Sequence, residues 1–176
     1  MKYELVSMYD PILNEPTEKF DFDNPQMDPT ELFEKLKETM LANRGVGLAA
    51  PQVGIPLDVF VVGHPDDPEN VFSVFNPKIV DSTGEEIDEE EGCLSFPGLF
   101  VKVKRPSKIR MRYSDHSGET DTLVFEGFTA RVIQHEYDHL QGLTYTKRAG
   151  RLRTEKAKKQ KKKLDKLRKN NLTKYI

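Results

Sequence analysis

From Phe128 to Gln141 the chain runs without glycine or proline and then meets Gly142. The run predicts a helix over about 128–141, with Phe128, Val132 and Ile133 on one side and Gly142 in the left-handed position that ends many helices. Within it stands Gln134-His135-Glu136-Tyr137-Asp138-His139, which contains H-E-x-x-H. Residues four apart lie one above the other on a helix, so His135 and His139 can converge on one ion. Glu136, one residue round, can reach a water on that ion without being a ligand. Two histidines in a polar helix can also be plain surface residues, so the motif needs support from elsewhere in the chain.

A hydrolytic metal site takes three protein ligands and keeps one position open. Cys93, in Glu91-Gly92-Cys93-Leu94-Ser95, is the chain's single cysteine and a candidate third ligand. A lone cysteine is otherwise a small buried hydrophobe. The alternative of a downstream carboxylate finds only Glu155 among the glutamates after His139, and Glu155 lies in a basic tail. A third segment, Gly45-Val46-Gly47-Leu48-Ala49-Ala50-Pro51-Gln52-Val53-Gly54, reads as a loop whose backbone can approach a ligand closely, with Gln52 supplying two side-chain N–H donors. It lacks the Lys-Ser/Thr ending of a phosphate loop.

The rest of the chain supplies a frame. Asp28-Pro29-Thr30-Glu31 is a helix start, and Leu32, Phe33, Leu36, Met40 and Leu41 recur at helical spacing, predicting a helix over about 29–43. Val59–Val62, Val71–Phe75, Ile109–Tyr113 and Asp121–Glu126 read as strands. One cysteine excludes a disulfide scaffold, and no stretch approaches the ~18 apolar residues of a membrane span. Met1–Asp10 lacks the basic-then-apolar layout of a secretory signal, so a soluble, cytoplasmic protein is expected.

The net charge of −2 conceals a division. Residues 147–176 carry 14 Lys/Arg against Glu155 and Asp165, a net +12, whereas residues 1–146 are net −14. The expected organisation is a domain over 1–146 and a basic tail over 147–176. In the tail, Leu152, Ala157, Leu164 and Leu167 are too sparse to build a core, so it reads as a solvated helix or disorder.

Taken together, Gly45 to Gln52, Glu91 to Ser95 and Gln134 to Gly142 resemble, in order, the three signature motifs of the peptide deformylase family. Asn76-Pro77 and Arg105-Pro106 look similar too, and the resemblance spans roughly residues 8–146. It implies an α+β fold, with antiparallel strands wrapped around the central motif helix, an N-terminal helix and a basic C-terminal helix. It also implies a metallohydrolase that removes the formyl group from N-terminal formylmethionine. By resemblance the metal ligands are Cys93, His135 and His139, the ion is Fe2+, and Zn2+ or Ni2+ can replace it. Glu136 would be the general base towards a metal-activated water, while Gln52 and the Leu94 backbone N–H would donate to the developing oxyanion. Val46, Phe128 and Val132 would wall the methionine slot, with the backbone of Val46, Gly47 and Gly92 along the substrate. Glu91 and Arg105 would brace the metal loop. The implied partners are formylmethionyl nascent peptides and, through the tail, ribosomal RNA; a monomer that binds no membrane is expected.

Overall fold

The computed structural model describes residues 2–172, and side chains through residue 167. Its elements are α1 (Pro29–Ala42), β1 (Gly47–Ala49), β2 (Val59–His64), β3 (Asp67–Glu91), β4 (Val101–Ser114), β5 (Thr120–Glu126), α2 (Gly127–Leu140), α3 (Tyr145–Ala149) and α4 (Arg151–Leu172). The five strands form one antiparallel sheet in the order β1-β2-β3-β4-β5. Mixed helix and antiparallel sheet is thus the architecture. Alternation along β2 separates two cores: Val59 and Val61 pack with Leu32, Leu36 and Met40 of α1, while Phe60 and Val62 pack with Ala130, Val132 and Ile133 of α2. This explains why β2 reads as an unbroken apolar run, since both of its faces are covered.

Helix α1 begins as its sequence requires: the Asp28 carboxylate accepts from Glu31 N–H at 2.7 Å, and Pro29 occupies the first turn. Helix α2 ends at Gly142, with φ +64°, where Leu143 N–H reaches the Asp138 carbonyl at 2.9 Å. A Cβ at Gly142 would also lie 2.7 Å from the Glu15 carbonyl carbon, so conformation and crowding both require glycine there. Phe128 does not share the buried side of Val132 and Ile133: it sits in the first turn of α2 and is 62% exposed.

Strands β3 and β4 run far beyond the expected segments 71–75 and 109–113. Residues 85–91 of β3 carry almost no strand-forming side chains, yet they pair with β4 in register, Asp88 opposite Lys104 and Glu90 opposite Lys102. Opposite charges across the ladder make up for weak intrinsic preference. Register shifts between Phe75 and Lys78, Ile79 and Asp81, and Thr83 and Glu86 bend this long hairpin. At the first of them Asn76 adopts φ +50°, and its side chain both donates to the Phe20 carbonyl and accepts from Phe20 N–H, each at 2.8 Å.

The basic tail begins as a packed element. Thr154 is buried and donates to the Thr146 carbonyl at 2.7 Å, Arg153 pairs with Asp88 at 2.6 Å, and Ala157 packs on the cluster of Leu13, Phe96, Leu99, Val101, Val103 and Tyr145. Leu152, Leu164 and Leu167 are exposed, consistent with a helix solvated along most of its surface. Residues 173–176 of the tail lie outside the described residues.

Candidate metal centre

Three elements converge at the end of the long hairpin. Helix α2 brings the His135 and His139 rings together edge to face, with centroids 5.2 Å apart. Cys93, two residues past the end of β3, comes to 3.4 Å from His139 Nε2. One donor atom from each of Cys93, His135 and His139 lies within 4.8 Å of the others. A tetrahedral ion with ordinary bond lengths sets a sulfur-to-nitrogen separation of ~3.5 Å, which the Cys93–His139 pair matches at 3.4 Å.

What surrounds these donors fixes their direction. Glu91, the last residue of β3, is buried and accepts four charge-assisted bonds: Arg105 Nε at 2.6 Å and Nη2 at 2.8 Å, Arg131 Nη1 at 2.7 Å, and His135 Nδ1 at 3.0 Å. The last of these leaves His135 Nε2 free for an ion, the carboxylate–histidine arrangement common behind metal ligands. Arg105 continues to Asp138 at 2.9 Å, and Asp138 is held from its other side by Arg148. Burial would raise the Glu91 pKa, but the bonds from Arg105 and His135 outweigh it and hold the carboxyl at about 2.

The electrostatics divide the two histidines. Burial disfavours the charged form of His135, but its bonds to Cys93 and Glu91 override this and raise its pKa to about 10. His139 is driven well below the ordinary range by burial, then by the positive charge of His135 and Arg105. Glu136 is pushed up to about 7, chiefly by burial, against the pull of His135 and Arg105. Its Oε2 and the His139 Nδ1 are buried polar atoms without a protein partner. An unpaired buried carboxylate oxygen next to three convergent donors marks a place where a further polar group belongs.

The Gly-rich segment is a short strand followed by a 3-10 turn, Ala50–Val53, rather than an open loop. Gln52 is buried, its carbonyl oxygen accepting from Ala49 N–H at 2.8 Å and its amide directed at Cys93 Sγ, 3.3 Å, and Ser95 Oγ, 3.2 Å. β1 passes directly over Glu136: a Cβ at Gly47 would stand 2.8 Å from Glu136 Cγ. Glycine is required here by close approach.

Beside the donors lies a cavity of about 560 Å³ whose lining includes Val46, Gly47, Gln52, Gly92, Cys93, Leu94, Phe128, Val132, His135 and Glu136. Of the metal-ligating, catalytic and substrate-contacting residues expected from the sequence, all but His139 line it; His139 lies 3.4 Å from Cys93 Sγ, and Arg105 of the expected bracing pair is buried outside the cavity. Sequence reasoning missed Arg131, Asp138 and Tyr145. Arg131 stands four residues before His135, so the same spacing that pairs the histidines points to it. Asp138 lies inside the motif. Tyr145, whose hydroxyl donates to the Leu99 carbonyl at 2.8 Å and whose ring lies 5.5 Å from that of His135, has no local signal.

The polypeptide deformylase family model matches residues 2–155. Peptide deformylase 1 of Bacillus cereus is 42% identical over 149 residues, covering 84% of this chain and 92% of that protein. Among solved structures, a peptide deformylase from Synechococcus elongatus in complex with actinonin aligns with a TM-score of 0.83 at 33% identity, over 90% of this chain and 87% of that one. A Met-Ala-Ser-bound peptide deformylase from Acinetobacter baumannii aligns at 0.76 and 31% identity, over 84% and 98%. Among the described residues no helix is long and apolar enough to cross a membrane. A matching family model over most of the chain, relatives of this similarity and a Cys-His-His donor set beside a deep cavity lead to one conclusion: the chain belongs to the polypeptide deformylase family, metal-dependent hydrolases that release formate from the N-terminal formylmethionine of newly made proteins.

Proposed function

We propose that Cys93, His135 and His139 hold one divalent cation, Fe2+ in the native enzyme with Zn2+ or Ni2+ able to replace it, and that the adjoining cavity receives the formylmethionyl end of the substrate. The convergence of the three donor atoms within 4.8 Å supports this reading most directly. One thiolate with two imidazoles suits the later first-row ions. When bound, such an ion acts as a Lewis acid, polarising a carbonyl and bringing the pKa of a coordinated water towards ~7.

The chain's own groups account for the remainder. Glu136, with one oxygen unpartnered, takes a proton from the attacking water and returns it to the departing α-amine. The Gln52 amide, held from behind by Ala49 N–H, and the Leu94 backbone N–H donate to the oxygen on which charge develops. Losing one such donor typically costs about 2.7 to 4 kcal/mol in the transition state. Val46, Phe128 and Val132 wall the methionine slot, and the backbone of Val46, Gly47 and Gly92 runs beside the extended substrate. Arg105 and Glu91 position His135 rather than react. In this reading the strands are disposed around α2 to present its motif to the cavity.

Residues 1–146 form the catalytic unit, and 147–176 a basic extension for contact with ribosomal RNA in the cytoplasm; the enzyme acts as a monomer. The +12 charge of the extension supports the RNA contact. Ribosome co-sedimentation would then fall steeply with salt, by about 0.7 to 0.9 in log K against log salt for each neutralised phosphate, and binding indifferent to salt would refute it. For the reaction itself, formate release from a formyl-methionyl peptide is measured with and without a chelator. Release that the chelator abolishes and added Fe2+ or Ni2+ restores is expected; chelator-resistant release would overturn the metal assignment.

A further inference from the structure

Tyr145 opens α3, six residues beyond His139, and is fully buried. Its hydroxyl donates to the Leu99 carbonyl at 2.8 Å, and its ring lies 5.5 Å from that of His135, tilted by 35°. Leu99 ends a run of backbone bonds that starts at the cysteine: Phe96 N–H donates to the Cys93 carbonyl at 2.9 Å, and Leu99 N–H to the Phe96 carbonyl at 3.2 Å. Cys93 itself packs against the cluster that contains Tyr145, and the Phe96 ring meets that of Tyr145 edge to face at 5.6 Å. One buried side chain therefore touches both the segment that carries the sulfur donor and a ring that carries a nitrogen donor.

We infer that Tyr145 is a positioning residue of the metal centre, setting the spacing between the Cys93 segment and the His135 ring. The inference rests on the reading of Cys93, His135 and His139 as the ligands. Residues 92–100 belong to neither helix nor strand, so no ladder holds them. The Gln52 amide meets this segment at Cys93 and Ser95, and the Tyr145 hydroxyl fixes its far end by satisfying the Leu99 carbonyl. His135 has a complementary need. Its Nδ1 bond to Glu91 at 3.0 Å directs Nε2 but leaves the imidazole free to tilt about that bond, and an aromatic ring beside it removes the freedom. Phenylalanine at this position would keep the ring and lose the anchor on Leu99, whereas leucine would lose both.

The test uses Co2+ as the probe, because a thiolate–cobalt bond gives a near-ultraviolet charge-transfer band and the visible bands report ligand geometry. Metal-free, reduced parent protein, Tyr145→Phe, Tyr145→Leu and, as a control in the same buried cluster, Leu13→Val are titrated with Co2+ against a competing chelator. The parent and Leu13→Val are expected to show the same bands and the same affinity. Tyr145→Phe should bind Co2+ roughly tenfold more weakly, with altered visible bands, and Tyr145→Leu up to roughly 100-fold more weakly, the range that losing a partner behind a metal ligand produces. A parent-like spectrum and affinity in Tyr145→Phe would overturn the proposal even with Tyr145→Leu impaired, since ring packing alone would then account for the site. Equal weakening in Leu13→Val would overturn it as well, by tracing the effect to the cluster as a whole. A parent protein that takes up Co2+ without a thiolate band would overturn the ligand reading and the positioning role with it.

Discussion

Replacing Arg105 by leucine tests the buried charge network that holds the site together. Arg105 is 2% exposed and spans two acids, Glu91 through two bonds and Asp138 through one. Removing one partner of a buried ionic pair costs about 3 to 5 kcal/mol, because the other charge stays buried. The lower end applies here, since Glu91 keeps Arg131 and His135, and Asp138 keeps Arg148. The Glu91 pKa points the same way: burial alone would raise it, yet the bonds and charges of Arg105 and His135 together lower it from 4.5 to about 2, about 3 kcal/mol at neutral pH shared between the two partners. The sign follows from the depression: the contribution is full above 4.5 and is lost as pH falls towards 2. Urea denaturation of the metal-free, reduced proteins should show Arg105→Leu destabilised by about 3 kcal/mol at neutral pH, or roughly 6 to 12 °C in Tm. The gap should narrow as the pH is lowered below 4.5. A neutral-pH difference under about 1 kcal/mol, or a gap that widens on acidification, would refute the argument.

Three further outcomes are expected. Cys93→Ser should lose metal in dialysis while keeping its circular dichroism spectrum and urea midpoint in the metal-free state; stoichiometric metal with full turnover would remove Cys93 from the ligand set. Glu136→Gln should retain its metal, measured by elemental analysis, and lose on the order of 10²- to 10⁴-fold in kcat, whereas turnover close to the parent's would exclude it as the base. Truncation after Gly150 should lower Tm by several degrees, because it removes Thr154 from the Thr146 carbonyl and Ala157 from the cluster around Phe96 and Leu99, while truncation after Lys161 should leave Tm nearly unchanged. Equal Tm values for the two would mean that the start of α4 contributes nothing to the fold.

How far the sequence is legible depends on the range over which each residue's fate is decided. The two histidines are readable because four-residue spacing on a helix is a local geometric fact, and α1 because its cap, first-turn proline and apolar stripe all lie within one short segment. Cys93 is only half readable. Its glycine neighbour is visible, but its meeting with His139 depends on a hairpin whose outer part, residues 85–91, is a strand by virtue of its partner β4 rather than its own composition. The same holds for the tail. A run of lysines reads as solvated, and most of α4 is so, yet Thr154 is held by the Thr146 carbonyl and Ala157 by a cluster assembled from Leu13, the stretch from Phe96 to Val103 and Tyr145, far apart in sequence. Phe100 shows the limit most clearly. In sequence it is one more apolar residue beside Leu99 and Val101, and the expectation for such a residue is burial. Its exposure follows from alternation at the entry to β4: with Leu99 and Val101 committed to the core, the side chain between them must face away, and what lies on that side is Gly92 and the mouth of the cavity.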